Sequence, residues 1–203
     1  MTMQHSQFHD VPLVAGKSER PTTLPVWDPL VRLFHWSLLA AYAIGYYTQI
    51  ENYELHLIAG YAVLALVCFR VLWGFIGSPR ARFRDFVRGP RTTAHYLGAL
   101  WRRRPQRFIG HNPAGAVMIL ALLVCLVVIT CSGIALDAAE NRAGPLGSTR
   151  VFLYGDLIAR THTLSTNISL ALIGIHVIGV LVSSALHKEN LVAAMLTGRK
   201  RVG

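Results

Sequence analysis

Residues 161–186 read THTLSTNISLALIGIHVIGVLVSSAL, a run with no Asp, Glu, Lys or Arg, whose ionisable groups are His162 and His176. Wound as a helix at 1.5 Å per residue it is about 39 Å long, more than the roughly 30 Å of a bilayer's hydrocarbon core. It reads as a membrane span. Residues 114–136 are equally free of charge, and two further apolar stretches, 33–50 and 55–76, also have a length that can cross a bilayer. Composition agrees, with 53% hydrophobic and only 15% charged residues, the apolar ones in unbroken blocks that a water-soluble domain does not carry. The predicted fold is an all-α integral membrane protein, a four-transmembrane-helix bundle over residues 25–203. Residues 1–24 are polar and unpatterned and are expected to form a flexible cytoplasmic tail. The first span follows Pro25, Asp28 and Pro29 without the short apolar core and small-residue cleavage site of a secretory signal, so it is read as retained.

The chain carries a net charge of +10. That could suggest nucleic acid, but here the basic residues lie between spans, so no nucleic-acid partner is expected. Sixteen of the twenty Lys and Arg fall before the first span, between residues 77 and 113, or after His187. The positive-inside rule then puts both termini and the long second connection in the cytoplasm of a bacterial inner membrane. Segments 80–91 and 101–107 are expected on anionic lipid, with Tyr96, Leu97 and Trp101 dipping into the interface. The outer connections, 51–54 and 137–160, hold Arg142, Arg150 and Arg160 against Glu51, Glu54, Asp137, Glu140 and Asp156. Cys68, Cys125 and Cys131 lie inside apolar runs and suggest no disulfide framework. With no CxxCH motif, covalently attached haem is excluded.

The histidines carry the functional reading. His162 and His176 are fourteen residues apart, about 21 Å along a helix and about 40° around it, so they face one side at two depths. His56, at the start of the second span, matches the depth of His162; His35, just inside the first, is nearest to His176. Ionisable groups inside a membrane are costly, and four at paired depths suit metal coordination. A neutral imidazole gives one nitrogen to iron and its other N–H to a helper, and two on facing helices can clamp a haem. Gly60, Gly174 and Gly179 would leave room for a flat macrocycle. Arg70 stands fourteen residues after His56 and should point into the bundle, where a haem propionate would be its partner; the alternative is snorkelling to the surface. His187, eleven residues after His176, lies on the same side. It is the alternative inner ligand, or a group for a propionate or quinone.

The chain resembles the bacterial cytochrome b-561 and nickel-hydrogenase-type cytochrome b family. The matching residues are Val26-Trp27-Asp28-Pro29, Arg32-Leu33-Phe34-His35-Trp36, Leu55-His56 with Gly60-Tyr61, Arg70 to Gly77, Gly110-His111-Asn112-Pro113-Ala114-Gly115, His162 with His176, and His187-Lys188-Glu189-Asn190-Leu191 to Gly198-Arg199-Lys200-Arg201. The resemblance implies two non-covalent b haems, the outer held by His56 and His162 and the inner by His35 and His176. It also implies electron exchange between a periplasmic partner, a c-type cytochrome or dehydrogenase subunit, and quinone near the inner haem. His111 and Asn112 open the third span at that level and could hydrogen-bond a quinone carbonyl; a helix cap is the plainer reading of Asn112 before Pro-Ala.

Three functions compete. An electron conduit between a periplasmic partner and the quinone pool leads. A superoxide oxidase that reduces quinone is similar to some family members, but it would gain from a positive funnel, and the outer connections are net negative. The third is a haem-free anchor or transporter.

Overall fold

The computed structural model describes residues 23–102, 106, 108, 110 and 112–201. Residues 1–22 of the expected tail and His111 therefore lie outside the described residues, while Thr23 and Leu24 open a short strand.

Helix α1, Pro29–Thr48, starts four residues earlier than the apolar run suggests. Asp28 caps it, its carboxylate accepting the Leu30 N–H at 2.7 Å, and Pro29 fills the first position, where a missing N–H costs nothing. Helix α2, Tyr53–Ile76, begins after Asn52, which accepts the Leu55 N–H at 3.0 Å. Two short helices follow, α3 (Phe83–Phe86) and α4 (Pro90–Trp101). Helix α5 spans Pro113–Asn141, and after a 3₁₀ turn at Val151–Tyr154, α6 runs from Gly155 to His187. Helix α7, Leu191–Thr197, is capped by Asn190.

The connection expected over 137–160 is thus mostly helical. Asp137 and Glu140 belong to α5, and Asp137 is buried. Tyr96 also departs from expectation: it is buried with its ring 5.6 Å from that of Phe108, while Leu97 and Trp101 remain exposed.

Helix α1 packs along α2, α5 along α6, and α2 meets α5. Phe34, Val63, Val67, Leu123 and Leu126 form the core where α1, α2 and α5 converge. Outward, Leu72, Val124, Ile178 and Leu181 are more than half exposed, an apolar surface larger than water tolerates and suited to lipid. Three helical stretches among the described residues are long and apolar enough to cross a membrane, Tyr53–Ile76, Pro113–Asn141 and Val151–His187. Helix α1, at 20 residues, is diluted by Arg32, His35, Trp36, Ser37 and three tyrosines.

The bundle's two ends differ. At one, strand β1 (Thr23–Pro25) pairs antiparallel with β2 (Arg199–Arg201), Thr23 opposite Arg201. Val26 and Trp27 N–H both donate to the Gly198 carbonyl, at 2.8 and 3.1 Å. Gly198 has φ +80°, and a Cβ there would come within 3.0 Å of Arg32 Nη1, so glycine is required. Asp28 also accepts from Trp73 Nε1 at 3.3 Å and from Ser78 Oγ, tying α1 to the end of α2. The opposite end carries the tight α1–α2 turn and the α5–α6 connection.

Candidate functional site

Between α1, α2, α5 and α6, at the end away from the termini, lies a cavity of about 250 Å³. His56 and His162 enter it from α2 and α6 with ring centroids 6.3 Å apart and planes at 80°. Each ring is aimed by a backbone carbonyl. His56 Nδ1–H donates to Gly45 O at 2.7 Å, and His162 Nδ1–H donates to Ile129 O at 3.0 Å with Ser132 Oγ 3.2 Å away. Because the acceptors are carbonyls, Nδ1 carries the hydrogen and Nε2 keeps its lone pair.

Two imidazoles sharing one metal, each with a bond of about 2 Å and about 1 Å more to the ring centre, would place their centroids about 6 Å apart. The observed separation meets that requirement. Small residues surround the pair. Gly60 lines the cavity and a Cβ on it would meet nothing within 4 Å, whereas one on Gly133 would approach His162 Cε1 to 3.1 Å. Farther along α6, Gly174 and Gly179 flank His176, and a Cβ on either would meet nothing within 4 Å.

The second pair lies toward the termini. His35 stands on α1 and His176 on α6, and the His35 Nδ1 is buried without a hydrogen-bond partner. Trp36, whose ring meets His35 edge-on at 5.2 Å, buries its Nε1 in the same way. Arg70 does not snorkel. It is 3% exposed, with its guanidinium 5.1 and 5.9 Å from the Phe83 and Phe86 ring centres, and its Nη1 has no partner. A buried guanidinium in this state is short of an anion. His187 ends α6, half-buried, with the left-handed Lys188 after it. Asn112 Oδ1 accepts the Gly115 N–H at 2.7 Å as the cap of α5, which leaves its amide N–H groups for other partners.

A model of the prokaryotic cytochrome b561 family matches residues 26–198. The chain belongs to that family. This cytochrome is 24% identical over 219 aligned positions to a "Probable Ni/Fe-hydrogenase B-type cytochrome subunit" of Azotobacter vinelandii, covering 90% of each chain. It is 26% identical over 152 positions to a protein of the same description from Azotobacter chroococcum mcd 1, covering 60% of this chain and 62% of that one. No solved structure matches.

The family implies haem b, and the residues present fit it: paired rings with free Nε2 atoms, glycine-lined space and an anion-seeking arginine. Among the described residues no cluster of three or more His, Cys, Asp or Glu could hold a bare metal ion.

Several contributors escaped the sequence reading. The Gly45 and Ile129 carbonyls are backbone atoms and leave no residue signal. Tyr42 and Ser169, whose hydroxyls hydrogen-bond, did leave one. Ser169 lies seven residues from both His162 and His176, on the same helical face, and it is 0% exposed.

Proposed function

We propose that this cytochrome is a four-span electron conduit carrying two b haems, one held by His56 and His162 and the other by His35 and His176, with Arg70 receiving a propionate at the second. The observation that carries the reading is the His56–His162 pair, whose separation and Nδ1 anchors suit one shared metal. Haem supplies reversible one-electron transfer. The protein's share is to fix the rings, exclude water from the cavity and span the bilayer.

The positive-inside rule places the terminal end, with Arg70, in the cytoplasm and the His56–His162 end toward the periplasm of the inner membrane. The relatives' description favours a hydrogenase-type catalytic subunit as the outer partner, the dehydrogenase class of donor. Quinone is then the inner acceptor, at the end that holds His187 and Asn112; His111 precedes Asn112 in the sequence, and a histidine can hold a carbonyl and relay the protons quinone reduction takes up. The excess of carboxylates in the outer connections does not favour an anionic substrate such as superoxide.

The test is rapid reduction of the purified protein followed by reoxidation with a soluble quinone analogue. His111→Ala or Asn112→Ala should retain both haems and slow reoxidation of the inner one. Unchanged rates in both variants would remove the inner quinone site.

A further inference from the structure

We propose that the cavity holding His56 and His162 is filled sideways from the bilayer, through the seam between α1 and α6, by a flat apolar macrocycle with acidic edges, and that the Tyr42–Ser169 hydrogen bond is the latch on that seam. This rests on the reading above that the cavity holds a haem. The chain itself shuts the other routes.

The bundle is two helical hairpins, α1 with α2 and α5 with α6, joined along α2 and α5. On the α2–α5 side the cavity wall is closed, because Ala59, Val63, Thr130 and Asp137 are all buried. Toward the surface away from the termini, Asp137 accepts hydrogen bonds from Tyr53 Oη at 2.7 Å and Asn141 Nδ2 at 3.1 Å, which tie the start of α2 to the end of α5. At the terminal end Arg32 reaches from α1 to the carbonyls of Met195 and Leu196, and β1 pairs with β2. Between these ends α1 and α6 are joined by Tyr42 and Ser169. Past that bond, toward the histidine pair, no hydrogen bond or ion pair links α1 to α6 among the described residues.

The residues that line the cavity from this side also face outward. Tyr46 and Gln49 of α1 and Thr163 and Asn167 of α6 border the cavity and are exposed. Gln49 is seven residues from Tyr42 and Thr163 six from Ser169, so both lie roughly 9 to 10 Å beyond the latch. The mouth therefore opens in the α1–α6 seam. Leu164 and Ile168, next to Thr163 and Asn167, are exposed as well, which gives a polar lip in an apolar surround. Polar groups facing hydrocarbon are costly. Here they offer hydrogen bonds to a carboxylate edge while the apolar face of the ring system passes between the helices.

Parting the seam disturbs little. The apolar window within Val151–His187 is 6% buried, against 22% in Tyr53–Ile76 and 28% in Pro113–Asn141, so α6 has the least cover to lose. Separation of α1 from α6 breaks the Tyr42–Ser169 bond and leaves the α2–α5 wall in place as the hinge.

The experiment follows haem uptake by the full chain in lipid vesicles, starting from protein expressed under haem limitation. The chain carries Gln49→Cys and Thr163→Cys together with Cys68→Ala, Cys125→Ala and Cys131→Ala, and a reducible bifunctional thiol reagent bridges the seam. Bridged before haem is offered, the protein should stay at or below one haem per chain, and reduction of the bridge should restore uptake to two. Bridged after loading, it should keep both, and either single-cysteine variant treated with the same reagent should load normally. Tyr42→Phe should speed uptake by about two- to tenfold, and it provides the test if the double-cysteine chain does not fold. Uptake by the bridged protein at the unbridged rate, or Tyr42→Phe loading no faster than wild type, would overturn the lateral route. A haem content unchanged by His56→Ala is a separate failure: it removes the macrocycle from this cavity, and the route with it.

Discussion

His56 and His162 face one another from α2 and α6 with ring centroids 6.3 Å apart, and neither Nδ1 is free to move, because each is bonded to a carbonyl of a neighbouring helix. The pair is therefore set before any group enters, which limits the reorganisation that binding requires.

Filling the space beside that pair should expel the cofactor while sparing the fold. Gly60 lines the cavity, and a Cβ on it would meet nothing within 4 Å, so Gly60→Leu meets no protein atom near its backbone. Membrane insertion and helical circular dichroism should be unchanged, and the haem-to-protein ratio should fall toward one. A ratio still near two would mean that the cavity is not where the macrocycle lies.

The Tyr42–Ser169 hydrogen bond joins α1 to α6 in the bundle interior. Ser169 Oγ–H already donates to Thr166 O at 2.8 Å, so the Tyr42 hydroxyl is the donor. Tyr42→Phe removes that bond and keeps the ring. It should lower stability by about 0.5–1.5 kcal/mol, read as an earlier melt in detergent with haem content intact. Loss of a haem in this variant would show that Tyr42 contacts the cofactor.

Asp28 anchors three things at once, the start of α1, Trp73 and Ser78. Partial burial pushes its carboxyl up, but the hydrogen bonds from Ser78, the Leu30 N–H and Trp73 outweigh it and hold the group below the usual range. A folded-state value below the unfolded one contributes stability that is full above the unfolded value, near 3.9, and is lost as pH falls through the folded one. Asp28→Ala should cost about 0.5–2 kcal/mol from the cap alone. Melting midpoints compared across acid pH should show the wild-type advantage over Asp28→Ala shrinking below about pH 4. An advantage that persists at the lowest pH would exclude the carboxylate as its source.

The long helices were legible in the sequence because their apolar runs exceed what any other element needs. Their ends were less so, since the Asp28-Pro29 cap and the polar turns around Asp137 and Gly155 obey helix chemistry rather than hydropathy. The pairing of Thr23–Pro25 with Arg199–Arg201 was beyond reach, because three-residue strands have no period to detect. In the site, spacing alone brought His56 to His162 and His35 toward His176. What spacing could not give was orientation, because the atoms that aim the rings, Gly45 O and Ile129 O, belong to the backbone. Arg70 is buried, and its seat on Phe83 and Phe86 depends on α3 folding back, which no pattern announced.

The most direct measurement is pyridine haemochrome quantitation of the purified chain beside His56→Ala and His162→Ala. Two haems per wild-type chain, with either substitution removing one and sparing the other, is the predicted result. A wild-type ratio of one, or loss of both haems from each single substitution, would contradict the assignment of His56 and His162 as one pair in a two-haem protein.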